Sequence, residues 1–316
     1  MPTLDEFALI RRFFTDAHLP PHIKTGVGDD GAVLAIPANH KLVVSVDTQL
    51  PSVHFPADTA PAHIATRALH CAASDLAAMG ATPVGFTVAL TLPSADENWL
   101  AAFSTGLFAA AAHLQCPLIG GDTTRGALCL SIQVLGIVPA GLAIKRSGAQ
   151  AGNCIWISGC LGDGAAALAL LEGRLNLAEA ARVYLQERFY SPEIDFDLGV
   201  YLRTIATACI DVSDGLLADL GHVCTASRVA ACLKLHALPL SAHWRDAVDS
   251  PQAQQWALAG GDDYRLCFTA PAIHSALLQS RQNLVCIGEI VDGDGVTVFD
   301  KHGTSISSLS AGFRHF

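Results

Sequence analysis

Basic residues are scarce in this chain of 316. Only 19 Lys and Arg stand against 29 Asp and Glu, for a net charge of −10. Such a balance argues against nonspecific binding to nucleic acid or to an anionic membrane. It leaves nucleotide substrates open, because bound cations invert a local field. Charged residues of both signs make up 15% of the chain against 51% hydrophobic, too apolar for disorder and ample for one large domain or two ordinary ones. No Cys-x-x-Cys pair occurs among the ten cysteines, most of which stand among Ala, Leu, Val and Ile. They read as small apolar thiols in a reducing cytosol rather than as zinc ligands or disulfides, so a cytoplasmic setting is expected. No basic segment followed by an apolar run opens the chain at Met1–Phe7, and no signal peptide is read there. The Ala-rich stretch Trp99–Leu114 is broken by Ser104, Thr105 and Gly106 and is too short to span a bilayer. No Ser-His-Asp order, Cys-His pair or zinc spacing emerges.

What the chain does have is aspartate beside glycine or serine: Gly28-Asp29-Asp30, Val46-Asp47, Ser74-Asp75, Gly121-Asp122 and Asp211-Val212-Ser213-Asp214. Several stand where an apolar run stops. Carboxylates at strand ends and turns hold hard cations such as Mg²⁺ against phosphates. Five such segments in one acidic chain suggest a folded site where metals bridge protein to polyphosphate. Turn geometry alone explains a single Asp-Gly pair such as Asp294-Gly295. It explains Asp47 and Asp75 less well. The first follows Val43-Val44-Ser45-Val46 with no turn residue beside it, and the second lies in an apolar helical stretch. A buried carboxylate is costly unless paired or bound to a cation.

Gly120-Gly121-Asp122 and Gly260-Gly261-Asp262 repeat one device, in which two glycines let the backbone approach a ligand and an acid follows. A hairpin turn explains either one equally well. Gly159–Gly164 matches neither the Gly-x-Gly-x-x-Gly nor the P-loop pattern and reads as a helix entry. Arg146, beside Lys145 in a glycine-flanked loop, suits phosphate binding or a solvated linker. His54 alone carries no specific signal.

Periodicity and punctuation give mixed α and β in both halves. Helices are expected over 3–15, 61–79, 98–114, 165–171, 176–190, 193–207 and 215–226, the last with Ser213 as a plausible N-cap. Strands are expected over 41–47, 85–92, 117–122 (running into a glycine turn), 128–138, 154–158, 209–211, 266–269, 284–287 and 295–299. The basic, glycine-containing connection Lys145–Gly152 marks a boundary between domains of 1–140 and 141–316.

Taken together, several segments resemble the thiamine-monophosphate kinase family, within the superfamily of aminoimidazole-ribonucleotide and selenophosphate synthetases. They are Asp5–Ile10, Gly26–Val33, Val46–Thr48 with Val53–Phe55, Ser74–Ala81, Gly120–Gly126, Arg146–Gly148, Ile210–Leu216, Gly260–Tyr264 and Gly312–Phe316. Their order and spacing are more specific than any one block. The resemblance implies ATP-dependent phosphorylation of thiamine monophosphate to thiamine diphosphate. It implies an α/β (α+β) fold of two domains, with N-terminal sheets pairing across a homodimer and a C-terminal α/β sandwich. It further implies Asp30, Ser45, Asp47, Asp75, Asp122, Asp211 and Asp214 as Mg²⁺ ligands, with Asp122, Asp211 and Asp214 at the catalytic positions. Gly121, Asp122, Arg146 and Ser213 would contact ATP, and His54, Asp262 and Phe313 would contact thiamine monophosphate.

The chain departs from the family pattern at Asp262 and Arg265, where Glu is usual, and over Gln49–Ser52, where Glu-Gly is common. A sister synthetase and a nucleotide-binding protein without turnover are the alternatives. Selenophosphate synthetases usually carry a reactive Cys or selenocysteine near the N-terminus, whereas the first cysteine here is Cys71.

Overall fold

Pro61 opens a helix and Gly80 follows its end, and the chain obeys that punctuation. The structure, a computed structural model, describes residues 6–15 and 19–306. It forms two units. One runs to Leu76 and resumes over Ala81–Gly141, and the other comprises Ala77–Gly80 and the chain from Leu142.

The first unit begins with α1 (Glu6–Phe13), β1 (Ile23–Thr25), β2 (Val33–Leu34), β3 (His40–Gln49) and α2 (Pro61–Ala78). It continues with β4 (Thr82–Leu92), α3 (Glu97–His113), β5 (Leu118–Arg125) and β6 (Cys129–Pro139). Its four-stranded sheet has the order β3-β6-β4-β5, with only β4 and β5 parallel. The connection between those two is α3, which Asp96 caps by accepting from the N–H groups of Asn98 and Trp99. Val84, Phe86, Val88, Leu90 and Leu92 alternate along β4 into the core. On β3 the same alternation puts Ser45 and Asp47 on the face of buried Val43, while Leu42, Val44 and Val46 point outward and stay exposed at 45%, 48% and 60%.

Two expectations change here. Gly120, Gly121 and Asp122 lie inside β5 rather than in a turn. A Cβ on Gly121 would run into the carbonyl oxygen of Val88 on the neighbouring strand, so that glycine serves strand pairing. Asp47 stands two residues inside β3 rather than at its end.

The second unit continues through β7 (Asn153–Ser158), α4 (Asp163–Leu171), α5 (Glu179–Tyr190), α6 (Phe196–Leu202), β8 (Ala208–Asp211) and α7 (Leu216–Ser227). Then come β9 (Ala230–Lys234), α8 (Ser250–Ala259), β10 (Leu266–Pro271), α9 (Ser275–Gln279), β11 (Leu284–Val291), β12 (Gly295–Phe299) and β13 (Ser305–Ile306). Its sheet has the order β13-β12-β9-β11-β7-β10-β8 and is antiparallel except between β12 and β9. The strands read as near-continuous apolar runs because both faces are covered. Ile155 and Ile157 of β7 enter a core with Leu216, Leu220 and Val223 of α7. Trp156 enters the opposite core with Leu198 and Leu202 of α6 and Leu278 of α9. This is an α/β sandwich. β9 and α8 fall in stretches for which the sequence suggested no element.

Candidate active site

In the first unit the aspartates gather in two places. Ser45 and Asp47 share the inner face of β3, and Ser45 Oγ donates to Asp75 Oδ2 of α2 at 2.5 Å. Both partners are half-buried, so two hard oxygen donors meet where solvent is thin. Asp30 and Asp122 line one cavity of about 280 Å³. Its polar wall is Gly28–Asp30 with Gly120–Thr123, and its apolar wall includes Phe7, Ile10 and Phe14 of the α1 segment. An apolar wall opposite carboxylates and exposed main chain suits a ligand with a flat base and a charged end.

In the second unit three loops converge. β8 ends at buried Asp211, and Val212–Gly215 turns the chain into α7. Gly215, at φ 113°, occupies the N-cap position, so Ser213 is not the cap. The capping comes from inside the helix: Asp219 Oδ2 accepts from the N–H groups of Ser213, Asp214 and Gly215 at 3.0, 3.0 and 3.1 Å. Burial, then the charges of Asp211 and Asp214, push the Asp219 carboxyl up to about 7.

Alongside runs the Gly260–Arg265 segment. Asp262 N–H donates to Ser213 O and Tyr264 N–H to Val212 O, both at 2.8 Å. Asp262 and Tyr264 both sit in left-handed backbone, at φ 60° and 50°, a strained state for a tyrosine. The Tyr264 hydroxyl donates to Asp262 Oδ1 at 3.0 Å. Between them, buried Asp263 turns the other way and accepts from the N–H groups of Gly162 and Gly164 at 2.7 and 3.1 Å. That fixes the Gly159–Gly164 turn ahead of α4. Burial pushes the Asp263 carboxyl up to about 8, against the two amides, which favour its charged form.

Arg265 resolves its charge reversal locally. Its Nη1 lies 3.0 Å from Glu193 Oε2, which also takes Arg188 at 2.8 Å. Although burial opposes it, the two guanidinium groups hold Glu193 below the usual carboxylate range.

Within the second unit, Asp211, Ser213, Asp214 and Asp262 therefore lie on adjoining backbone. The loop of Arg146 is tied to the same elements. Lys145 O accepts from the N–H of Cys209 of β8, two residues before Asp211, at 3.0 Å, and Ser227 Oγ at the end of α7 accepts from the N–H groups of Gly148 and Ala149 and donates to Arg146 O. His54 sits in a turn after β3, and Phe313 lies outside the described residues. Among the described residues no three His, Cys, Asp or Glu side chains stand close enough to hold a metal ion on their own. The sequence reading gave Asp219 and Asp263 no role, although Asp263 lies inside the Gly260–Tyr264 block and Asp219 three residues after Ile210–Leu216. All ten cysteines are free thiols, five of them buried. No helix among the described residues is long and apolar enough to cross a membrane.

Residues 28–138 match the family model for AIR synthase related protein, N-terminal domain. Over its full length the chain is similar to thiamine-monophosphate kinase of Salmonella typhimurium, with 44% identity over 98% of both chains. A solved structure of thiamine-monophosphate kinase from Stenotrophomonas maltophilia superposes with a TM-score of 0.86 at 45% identity, covering 96% of this chain and 98% of that one. AaThiL complexed with AMPPCP and TMP superposes with a TM-score of 0.79 at 27% identity, covering 98% and 97%. On this end-to-end similarity, the chain belongs to the thiamine-monophosphate kinase family.

Proposed function

We propose that this chain transfers the terminal phosphoryl group of ATP to thiamine monophosphate, giving thiamine diphosphate and ADP, the last step in making that cofactor. The observation that carries this reading is 44% identity with a thiamine-monophosphate kinase across 98% of both chains. The solved relative holding AMPPCP and TMP supports both substrates.

The reaction joins two anions. Two unit charges 4 Å apart interact by about 4 kcal/mol at an effective dielectric near 20, so the phosphate charges must be screened before attack. Mg²⁺ fits the donors present. It takes one or two carboxylates, keeps waters and shares substrate phosphates, which matches hard oxygens set in pairs rather than a closed all-protein cage. Asp30 with Asp122, Ser45 and Asp47 with Asp75, and Asp211 with Asp214 are the residues to hold it. When bound, it supplies Lewis-acid screening of the phosphate oxygens. Gly121, Asp122, Arg146 and Ser213 contact ATP. Arg146 offers a planar fork to a phosphate. His54, Asp262 and Phe313 contact the acceptor, where Asp262 favours the cationic thiazolium and Phe313 offers it an aromatic face.

The acceptor phosphate, with a second pKa of about 6, is already largely a dianion at neutral pH. No strong general base is needed, and transfer is direct and in line, without a phosphoenzyme. The enzyme acts in the cytoplasm, a reducing setting that suits ten free thiols. It works as a homodimer whose N-terminal sheets pair through β3. Exposed Leu42, Val44 and Val46 form an apolar row there on an edge strand, which otherwise invites uncontrolled association.

The test is purified protein with ATP, Mg²⁺ and thiamine monophosphate, with free thiamine in parallel, followed by chromatography. Thiamine diphosphate formed only from the monophosphate, with matching ADP, supports the reading. ATP hydrolysis or tight ATP binding without thiamine diphosphate refutes it and turns the assignment toward a sister synthetase or a binding role.

A further inference from the structure

Arg67 is a buried cation that the proposed mechanism leaves unused. It lies on α2 with 1% of its surface exposed. Burying a guanidinium costs several kcal/mol unless hydrogen bonds hold it. Its Nε donates to the carbonyl oxygen of His54 at 2.9 Å. That carbonyl belongs to a turn closed on itself. Val53 and His54 N–H groups donate to Leu50 O at 3.3 and 3.0 Å, and Ser52 N–H donates to Phe55 O at 2.7 Å. Ser52 adopts φ 62°, and Phe55 is buried beneath the turn.

The ring of His54 folds back onto the same turn, where Leu50 N–H donates to His54 Nδ1 at 3.0 Å. A main-chain N–H can only donate. Nδ1 is therefore the acceptor, and the ring carries its single proton on Nε2. An imidazolium, with hydrogens on both nitrogens, cannot take this bond.

We propose that His54 serves as a neutral Nε2–H donor to a phosphate oxygen of the acceptor substrate, and that buried Arg67 is the positioning residue that holds it so. This rests on the reading of His54 as an acceptor contact. The chemistry favours a neutral donor. It orients the attacking phosphate without delivering a proton to the dianion whose charge makes it a nucleophile. α2 ties this turn to the carboxylates, for Asp75 stands eight residues after Arg67, about 12 Å along the helix.

The first measurement is a ¹⁵N spectrum of histidine-labelled wild-type protein at neutral pH, assigned by loss of one ring system in His54→Gln. The expected result is a protonated Nε2 and an unprotonated Nδ1. A ring protonated on Nδ1 overturns the inference. The second is a variant series with steady-state kinetics. His54→Gln keeps a donor near Nε2, whereas His54→Asn places one near Nδ1. The glutamine variant should exceed the asparagine variant in kcat/KM for thiamine monophosphate by roughly tenfold, the worth of one hydrogen bond to a charged group. The reverse order overturns the proposal.

Arg67→Lys should raise KM for thiamine monophosphate by about tenfold while KM for ATP stays within about twofold. Equal changes in both substrates would make Arg67 merely structural. Absence of thiamine diphosphate from the wild-type reaction overturns the underlying reading, and the phosphate contact with it. A working kinase with an Nδ1-protonated His54 overturns this inference alone.

Discussion

Asp263 offers the sharpest test of the second unit's electrostatics. Its carboxyl is buried and held up at about 8, against an ordinary value of 3.8. A raised acid has a definite sign in linkage. Between those two values the folded protein binds more protons than the unfolded chain, so this group's contribution to stability is full below pH 4 and is lost as pH rises toward 8. The perturbation is Asp263→Asn, which keeps the shape and one acceptor oxygen but cannot ionise. Each pH unit inside the window is worth about 1.4 kcal/mol. From pH 5 to pH 8 the variant should therefore gain about 4 kcal/mol on the wild type.

The assay is urea unfolding of both proteins at unit pH steps, read as the difference between them. Asp219 titrates with the same sign, but it is present in both proteins and cancels. A difference that stays flat from pH 5 to pH 8 would refute the reasoning. It would mean that the Gly162 and Gly164 amides outweigh burial and keep Asp263 ionised throughout.

Asp211→Asn or Asp214→Asn should lower Mg²⁺-dependent turnover by orders of magnitude while the protein stays folded, and near-normal rates at limiting Mg²⁺ would remove them from the site. Tyr264→Phe deletes only the hydroxyl that donates to Asp262 at 3.0 Å. It should raise KM for thiamine monophosphate about tenfold and leave KM for ATP alone, as one charge-assisted hydrogen bond predicts; an unchanged KM would separate that hydroxyl from substrate binding. Val44→Asp with Val46→Asp places two charges on the exposed row of β3 and should yield monomers by light scattering. A wild-type monomer, or a doubly substituted dimer, would refute β3 pairing. Phe313→Ala should raise KM for thiamine monophosphate more than KM for ATP, and equal effects would take Phe313 out of the acceptor pocket.

Much of the fold was legible where a single physical signal dominates. α2 could be read because Pro61 and Gly80 bracket it, and β7 because Cys154–Ser158 is an apolar run between polar turns. β5 was expected, but its second half was taken for a turn, because Gly120-Gly121-Asp122 looks like one in one dimension. The reason for Gly121 is the Val88 carbonyl on another strand, which the sequence does not bring near. α7 was legible but its cap was not. Ser213 has the right chemistry, yet the chain needs two further residues to turn, and Asp219 reaches back from within the helix. Arg265, where the family usually has Glu, pairs with Glu193, which also takes Arg188, a partnership spanning more than 70 residues that the sequence does not bring together.

The aspartates now divide by what their oxygens already hold. Asp96, Asp219 and Asp263 accept main-chain N–H groups and set the shape of a helix start or a turn. Asp163 accepts from the Tyr184 hydroxyl and the Trp244 indole and pins side chains in the same way. Such carboxylates are structural, and moving one disturbs the loop it closes. Asp30 and Asp122 instead line a cavity, Asp75 meets a serine hydroxyl, and Asp211 and Asp214 raise the pKa of a neighbouring acid by their charge. In the proposed reaction the negative charge of this second group would meet cations that arrive with a polyphosphate. The two groups alternate along the chain, Asp211 and Asp214 before Asp219, and Asp262 before Asp263. Sequence alone therefore could not sort them, because the acids that shape the loops stand next to the acids proposed to hold the metal.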